Sequence, residues 1–138
     1  NNEAHPLVND WRFRGVGIGA RDLDSTVSYY EELGFSTLDN KKEVPGLDIE
    51  RQSLRVGPIL FDFSSITSEA SIYLESLKRR GEGVNDLAFE VSDVDQETDK
   101  LKQKGVEVLA RSQDKSEAYF DTRGEGNIML RLIQEESS

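Results

Sequence analysis

The chain repeats itself, and a repeat fixes architecture before any single motif is weighed. The stretch Val16-Gly-Ile-Gly-Ala-Arg-Asp-Leu-Asp24 matches Leu87-Ala-Phe-Glu-Val-Ser-Asp-Val-Asp95, and each copy reaches a glycine after the following helix, Gly34 and Gly105. Both pairs are offset by 71 positions, 87 − 16 and 105 − 34. Each copy reads as a strand, a helix and then further strands. Residues 13–20 and 84–91 alternate apolar and polar between turn-formers, the period-2 pattern of a strand. Asp22 or Asp24, and Asp93 or Asp95, stand where a side-chain oxygen can cap free helix N–H groups. Leu23, Val27, Tyr30 and Leu33 recur at helical spacing, as do Val94, Thr98 and Leu101, giving each helix one face to bury. Gly34 and Gly105 end these helices, since glycine enters the left-handed conformation past a helix C-terminus without a Cβ clash.

Strands are expected at 35–39, 47–56 and 58–64 in the first copy and at 106–111, 116–122 and 127–134 in the second. Ser68 to Arg80, with Ile72, Tyr73 and Leu77 as its apolar positions, reads as a linking helix. The organisation is therefore a tail over 1–10, one α+β domain over 11–134 and a short tail over 135–138. Within the domain, module one spans 11–66, the linker 67–82 and module two 83–134.

With 138 residues and 36% hydrophobic side chains, the chain supplies one core and not two. Its formal charge of −10 opposes a phosphate backbone and an anionic membrane surface alike, so neither nucleic acid nor membrane is an expected partner. There is no cysteine, which excludes disulfides, thiolate nucleophiles and zinc–thiolate sites. Apolar runs such as Pro58-Ile-Leu-Phe61 are far short of the roughly 20 residues that span a bilayer. No charged-then-apolar leader follows Asn1, and a cytoplasmic location is expected.

The run Gly81-Glu-Gly-Val-Asn-Asp-Leu-Ala-Phe-Glu-Val91, the helix end Tyr29-Tyr-Glu-Glu-Leu-Gly34 and the closing Gly126-Asn-Ile-Met-Leu-Arg-Leu132 resemble the vicinal-oxygen-chelate superfamily, the glyoxalase–bleomycin resistance–dioxygenase group. The resemblance covers about 13–134 and comes nearest to its epimerase and glyoxalase members. It implies two βαβββ modules forming a curved sheet with one small-molecule cleft. In that family, four histidine or carboxylate side chains on the concave face hold a divalent metal. Laid onto this sequence, the first-strand histidine falls on Gly15, the fourth-strand ligand on Asp62, the fifth-strand histidine on Asp86 and the last-strand glutamate on Arg131. Only Asp62 keeps a ligand-like side chain.

Strand parity gives a separate check, because alternate residues face opposite sides of a sheet. If Leu87, Phe89 and Val91 cover a helix, Asp86, Ala88 and Glu90 face the cleft. Val16, Ile18 and Ala20 likewise leave Gly15, Gly17 and Gly19 inward. Ile59, Phe61 and Phe63 turn Asp62 inward, and Ile128, Leu130 and Leu132 do the same for Arg131.

The only histidine, His5, lies in the expected tail, so a zinc, nickel or iron site is not expected. Asp62 and Asp86 offer oxygen ligands to magnesium or calcium, but Arg131 would set a fixed positive charge beside that ion. No metal and no cofactor is expected. Asp62, Asp86 and Arg131 instead suit metal-free proton transfer next to a carbonyl, with the carboxylates as base and acid and the arginine holding an oxyanion. The opposing reading is a buried salt bridge in which Arg131 only neutralises both aspartates. Gly15 and Gly17 are expected to leave room for a bulky ligand, and the motif register places Tyr119 and Asn127 near the cleft as substrate-binding candidates. Glu90 is taken as supporting structure, Trp11, Tyr29 and Tyr30 as core or interface aromatics, and Lys78, Arg79 and Arg80 as a solvated helix end.

The functional expectation is a metal-independent isomerase, epimerase or lyase acting on a small organic substrate. The alternative is a drug-sequestering binding protein without chemistry; a metal-dependent epimerase or dioxygenase ranks below both. Arg131 favours the enzyme, since an inward cation suits a carbonyl or anionic substrate and opposes a cationic drug. Proteins of this fold often pair at sheet edges, so a homodimer is expected. Sedimentation at micromolar concentration checks this, and a mass of 15.5 kDa, that of one chain, would count against it.

Overall fold

The computed structural model describes residues 10–136. The expectations for His5 and for tails at the first nine and last two residues lie outside the described residues. Glu135, expected in the tail, is tied to the sheet: its N–H donates to the Val91 carbonyl at 2.9 Å and its carboxylate pairs with Arg12 at 2.7 Å.

The strands are β1 (Arg12–Gly19), β2 (Ser36–Thr37), β3 (Lys42–Val44), β4 (Ile49–Val56), β5 (Ile59–Ile66), β6 (Gly83–Val91), β7 (Val108–Arg111), β8 (Glu117–Phe120) and β9 (Met129–Gln134). The helices are α1 (Leu23–Glu32), α2 (Tyr73–Arg80) and α3 (Val94–Gln103). One sheet runs β2-β4-β5-β1-β6-β9-β8-β7, with β3 added beside β4. Antiparallel β1 and β6 form the seam between modules, β5 runs parallel to β1, and β9 runs parallel to β6. The order 2-4-5-1 on one side mirrors 7-8-9-6 on the other, which is the repeat expressed as topology.

The two helices that follow β1 and β6 cover one face. Leu23 and Val27 pack with Leu54, Phe63 and Ile18, and Val94 and Leu101 pack with Phe89, Val91, Phe120 and Leu132. Each such side chain contributes roughly 1.5–3 kcal/mol by leaving water. Thr98 is buried as the spacing requires, whereas Leu33 stays largely exposed as the C-cap of α1. The opposite, concave face holds a third cluster, Leu47, Ile49, Tyr73, Tyr119 and Met129.

Four local features depart from the sequence reading. The linking helix starts at Tyr73 instead of Ser68, because Ser68 and Ser71 side chains accept from the N–H groups of Ala70 and Tyr73 and hold a turn instead. The strand expected over 35–39 shrinks to two residues as Phe35 turns into the α1 core. β3, which lacks an apolar alternation to announce it, zips onto β4 through Lys42, Glu43 and Val44. In β1 the register against β6 slips between Phe13 and Gly15, leaving Arg14 as an extra residue that pairs with Glu90 at 2.8 Å. No helix among the described residues is long and apolar enough to cross a membrane.

Asp22 and Asp93, not Asp24 and Asp95, are the N-caps: their carboxylates accept from Ser25 and Gln96 N–H at 3.1 and 3.0 Å. Gly34 (φ +109) and Gly105 (φ +89) take the left-handed backbone past the helix ends. Asp22→Ala and Asp93→Ala should each cost about 1 kcal/mol, and Asp24→Ala and Asp95→Ala clearly less. Urea unfolding of the four variants checks this; equal losses at both positions of a pair would contradict the assignment.

Candidate functional site

The concave face gathers three carboxylates and two guanidiniums into one bonded network. Arg131 on β9 donates from Nε to Asp86 Oδ1 at 2.8 Å and from Nη2 to Asp62 Oδ2 at 2.7 Å. Ser53 on β4 donates to the second oxygen of Asp62 at 2.5 Å, and Tyr73 on α2 donates to the second oxygen of Asp86 at 2.7 Å. Arg51 on β4 reaches across to β8, giving Nη1 to Glu117 Oε2 at 2.7 Å and Nη2 to the Tyr119 hydroxyl at 2.8 Å. The Tyr73 and Tyr119 hydroxyls lie 3.1 Å apart. Because Tyr73 spends its one proton on Asp86, Tyr119 must be the donor between them, so the polarity runs Arg51 to Tyr119 to Tyr73 to Asp86.

Strand parity explains why these side chains meet. Ile49, Arg51 and Ser53, Glu117 and Tyr119, and Met129 and Arg131 are alternate residues of their strands, and curvature of the sheet brings β4 opposite β8. Of the sequence candidates, Asp62, Asp86, Arg131 and Tyr119 are brought together. Arg51, Glu117, Ser53, Tyr73 and Arg14 were missed. Alternation from Ile49 and from Tyr119 points to Arg51 and Glu117, but pairing across the concavity is a property of the curved sheet alone.

A cavity of about 670 Å³ opens over part of this network and is bordered by Arg51, Ser53, Asp62, Glu117 and Arg131, with Arg14 at its wall. Asp86 is fully enclosed and does not border it, and Tyr119 lies buried beneath. Gly15 and Gly17 do not border it either. A Cβ on Gly15 would fall 1.9 Å from the Leu60 carbonyl oxygen, and one on Gly17 would fall 2.1 Å from Asp86 Oδ2. These glycines make room for the protein's own groups, which corrects the expectation of room for a ligand. Asn127 sits on the exposed turn before β9 at φ 57, where its carbonyl accepts from Arg80 at 2.7 Å, away from the cavity. Lys78, Arg79 and Arg80 are exposed at the end of α2 and also lie outside it.

Three side-chain atoms of the network, Arg131 Nη1, Arg51 Nε and Glu117 Oε1, have no hydrogen-bond partner. Arg131 Nη1 and Glu117 Oε1 are 3.5 Å apart, too far for a good hydrogen bond with each other. All three atoms are buried, and the residues that carry them border the cavity.

The donor set does not fit the family's divalent metal. Gly15 has no side chain, all four oxygens of Asp62 and Asp86 are engaged, and the Arg131 guanidinium bridges the two carboxylates. A divalent ion would have to displace a buried guanidinium that is bonded to both carboxylates. Among the described residues, no group of three or more ligating side chains is assembled.

Burial pushes the Asp62 carboxyl up, but Arg131 and Arg51, with the Ser53 hydrogen bond, hold it below its ordinary value. Burial likewise opposes ionisation of Glu117, and Arg51 and Arg131 again win. Burial raises the Tyr119 phenol to about 12, and burial with the neighbouring Asp86 raises Tyr73 well above its ordinary value, so both remain donors at neutral pH. Carboxylates depressed in the folded state contribute stability above their unfolded values of about 4, and that stability is lost as pH falls through the folded values. The melting temperature should therefore hold from neutrality to about pH 5 and fall below it, with a shallower acid slope in Asp62→Asn. An unchanged slope in the variant would mean that Asp62 is not the titrating group.

A family model described as the Glyoxalase/Bleomycin resistance protein/Dioxygenase superfamily matches residues 14–122. The fold is similar to the crystal structure of methylmalonyl-CoA epimerase from Mycobacterium tuberculosis, 24% identical, covering 95% of this chain and 91% of that one with a TM-score of 0.77. A variant of Streptomyces coelicolor methylmalonyl-CoA epimerase in complex with 2-nitronate-propionyl-CoA is 25% identical over 91% of this chain and 98% of that one, also at 0.77. A hypothetical protein from Bacillus halodurans, 16% identical over 93% and 96%, superposes at 0.76. With the match spanning well over half its length and the two-module sheet in place, the chain belongs to the Glyoxalase/Bleomycin resistance protein/Dioxygenase superfamily.

Proposed function

We propose that the chain is an enzyme that moves a proton next to a carbonyl group of a small organic substrate, an isomerase, epimerase or lyase that works without a bound metal. The observation that carries this is that Arg131 Nη1 and Glu117 Oε1, 3.5 Å apart on residues bordering the cavity, are buried without a hydrogen-bond partner. A carbonyl oxygen accepting from Arg131 Nη1 places the adjacent C–H within reach of Glu117. Glu117 then takes the proton, the electron pair moves onto the carbonyl oxygen, and Arg131 holds the enolate. Return of the proton to the other face of the carbon is epimerisation, return to a neighbouring atom is isomerisation, and loss of a β-substituent is elimination. Arg131 contributes to keeping Glu117 acidic. A substrate oxygen that draws off part of that interaction makes Glu117 a stronger base when it is needed.

The sequence reading gave Asp62 and Asp86 the acid–base work. With Asp86 enclosed and both carboxylates occupied by Arg131, the geometry favours a positioning role for them. They fix the guanidinium plane on two sides so that Nη1 is aimed at the substrate. The epimerase neighbours fit an isomerase class.

A second reading is sequestration without chemistry, favoured by the ion pairs that bind Arg131 to Asp62 and Asp86. Incubation with a panel of small carbonyl compounds in D₂O, read by NMR for loss of the α-proton, separates the two. Exchange should occur with metal-stripped protein, and Glu117→Gln should lower it roughly 100-fold or more at an unchanged fold. Compounds that bind and never exchange would leave sequestration as the function. Undiminished exchange in Glu117→Gln would remove Glu117 as the base, and exchange that returns only with added zinc, nickel, iron or manganese would remove metal independence.

A further inference from the structure

Charge balance in the network limits what the cavity can accept. Asp62, Asp86 and Glu117 supply three negative charges against two positive ones from Arg51 and Arg131, so the network, with Asp86 enclosed behind the cavity floor, carries one net negative charge. The rim adds to this imbalance, with Asp39, Glu43, Asp114 and Glu136 against Arg14 and Lys42. The unused hydrogen-bonding valences are of both kinds: Arg131 Nη1 and Arg51 Nε donate, and Glu117 Oε1 accepts.

We infer that the cavity recognises a neutral molecule that presents a carbonyl oxygen beside an N–H or O–H, as an amide, a ureide or a hydroxy-carbonyl does. This rests on the reading of the cavity as a ligand site and narrows its substrate class. A carboxylate ligand would satisfy Arg131 but turn a second lone pair toward Glu117 Oε1, adding negative charge to a network and rim that already hold an excess. A cationic ligand would satisfy Glu117, leave Arg131 Nη1 unpaired and bring like charge against it. A neutral acceptor next to a donor bridges the 3.5 Å gap between Arg131 Nη1 and Glu117 Oε1 and leaves neither atom orphaned. The volume of about 670 Å³ suits a small molecule of this kind.

Benzamide, benzoate and benzamidine have nearly the same shape and differ in charge, so their affinities measured by calorimetry at pH 7 test the inference. Benzamide should bind tightest in the native protein, with the two ions roughly tenfold weaker or more. Glu117→Gln removes one negative charge and replaces an acceptor with a donor, so its preference should invert to benzoate. Benzoate or benzamidine binding tightest in the native protein, or no binding of any probe, would overturn the inference, and so would a folded Glu117→Gln that keeps the native order. Should the variant not fold, the native ranking decides alone. The measurement needs no turnover: a benzamide preference without proton exchange removes the enzymatic reading and keeps this one, and exchange with a benzoate preference does the opposite.

Discussion

Arg131 holds the concave face together. Its guanidinium, wholly removed from water, ties β9 to its neighbour β6 through Asp86 and to β5 of the other module through Asp62. Desolvating such an ion costs several kcal/mol, and the cost is offset only while every partner stays in place. The partners of the partners are therefore fixed as well: Ser53 brings in β4, Tyr73 brings in α2, and the Arg51 bonds to Glu117 and Tyr119 close the curve from β4 to β8. Removing Arg131, or the Asp62 or Asp86 that pairs with it, leaves an uncompensated buried charge, a loss on the order of 3–5 kcal/mol. The curvature that makes a cleft and the charges inside it are thus one structural problem with one solution.

That solution also changes the chemistry open to the fold. A guanidinium is a planar, permanently charged donor, so it acts on a substrate oxygen through directed hydrogen bonds and offers no coordination sphere. Two of its edges are spent on Asp62 and Asp86, which leaves the direction of Nη1 set by the protein. On the proposed reading this preorganisation does the work, because an aligned donor in a site shielded from water costs no reorganisation when charge develops.

Much of this was legible in the chain, for local reasons. The offset repeat is a statement about topology, and the mirrored strand order follows from it. Period-2 alternation placed Asp62, Asp86 and Arg131 on one face, since a one-residue shift would have sent Phe63, Phe89 and Leu132 into the cleft. Capping positions and helix-ending glycines depend on a few adjacent residues and were readable to within one choice, Asp22 over Asp24 and Asp93 over Asp95. The bulge that turns Arg14 toward Glu90 was not, because a bulge is defined by the partner strand and the sequence of β1 alone looks regular.

The sequence by itself determined two modules, their helices, the inward trio and a donor set in which the family's metal positions are mostly replaced. Only the tertiary structure decided that Asp86 is sealed beneath Tyr73, that Glu117 faces the cavity in its place, and that Gly15 and Gly17 accommodate Leu60 and Asp86. The physical reason is range. Alternation and capping act over a few bonds along the chain, whereas the partners of Arg51 and Arg131 lie 45 to 69 positions away and meet only once the sheet has curved.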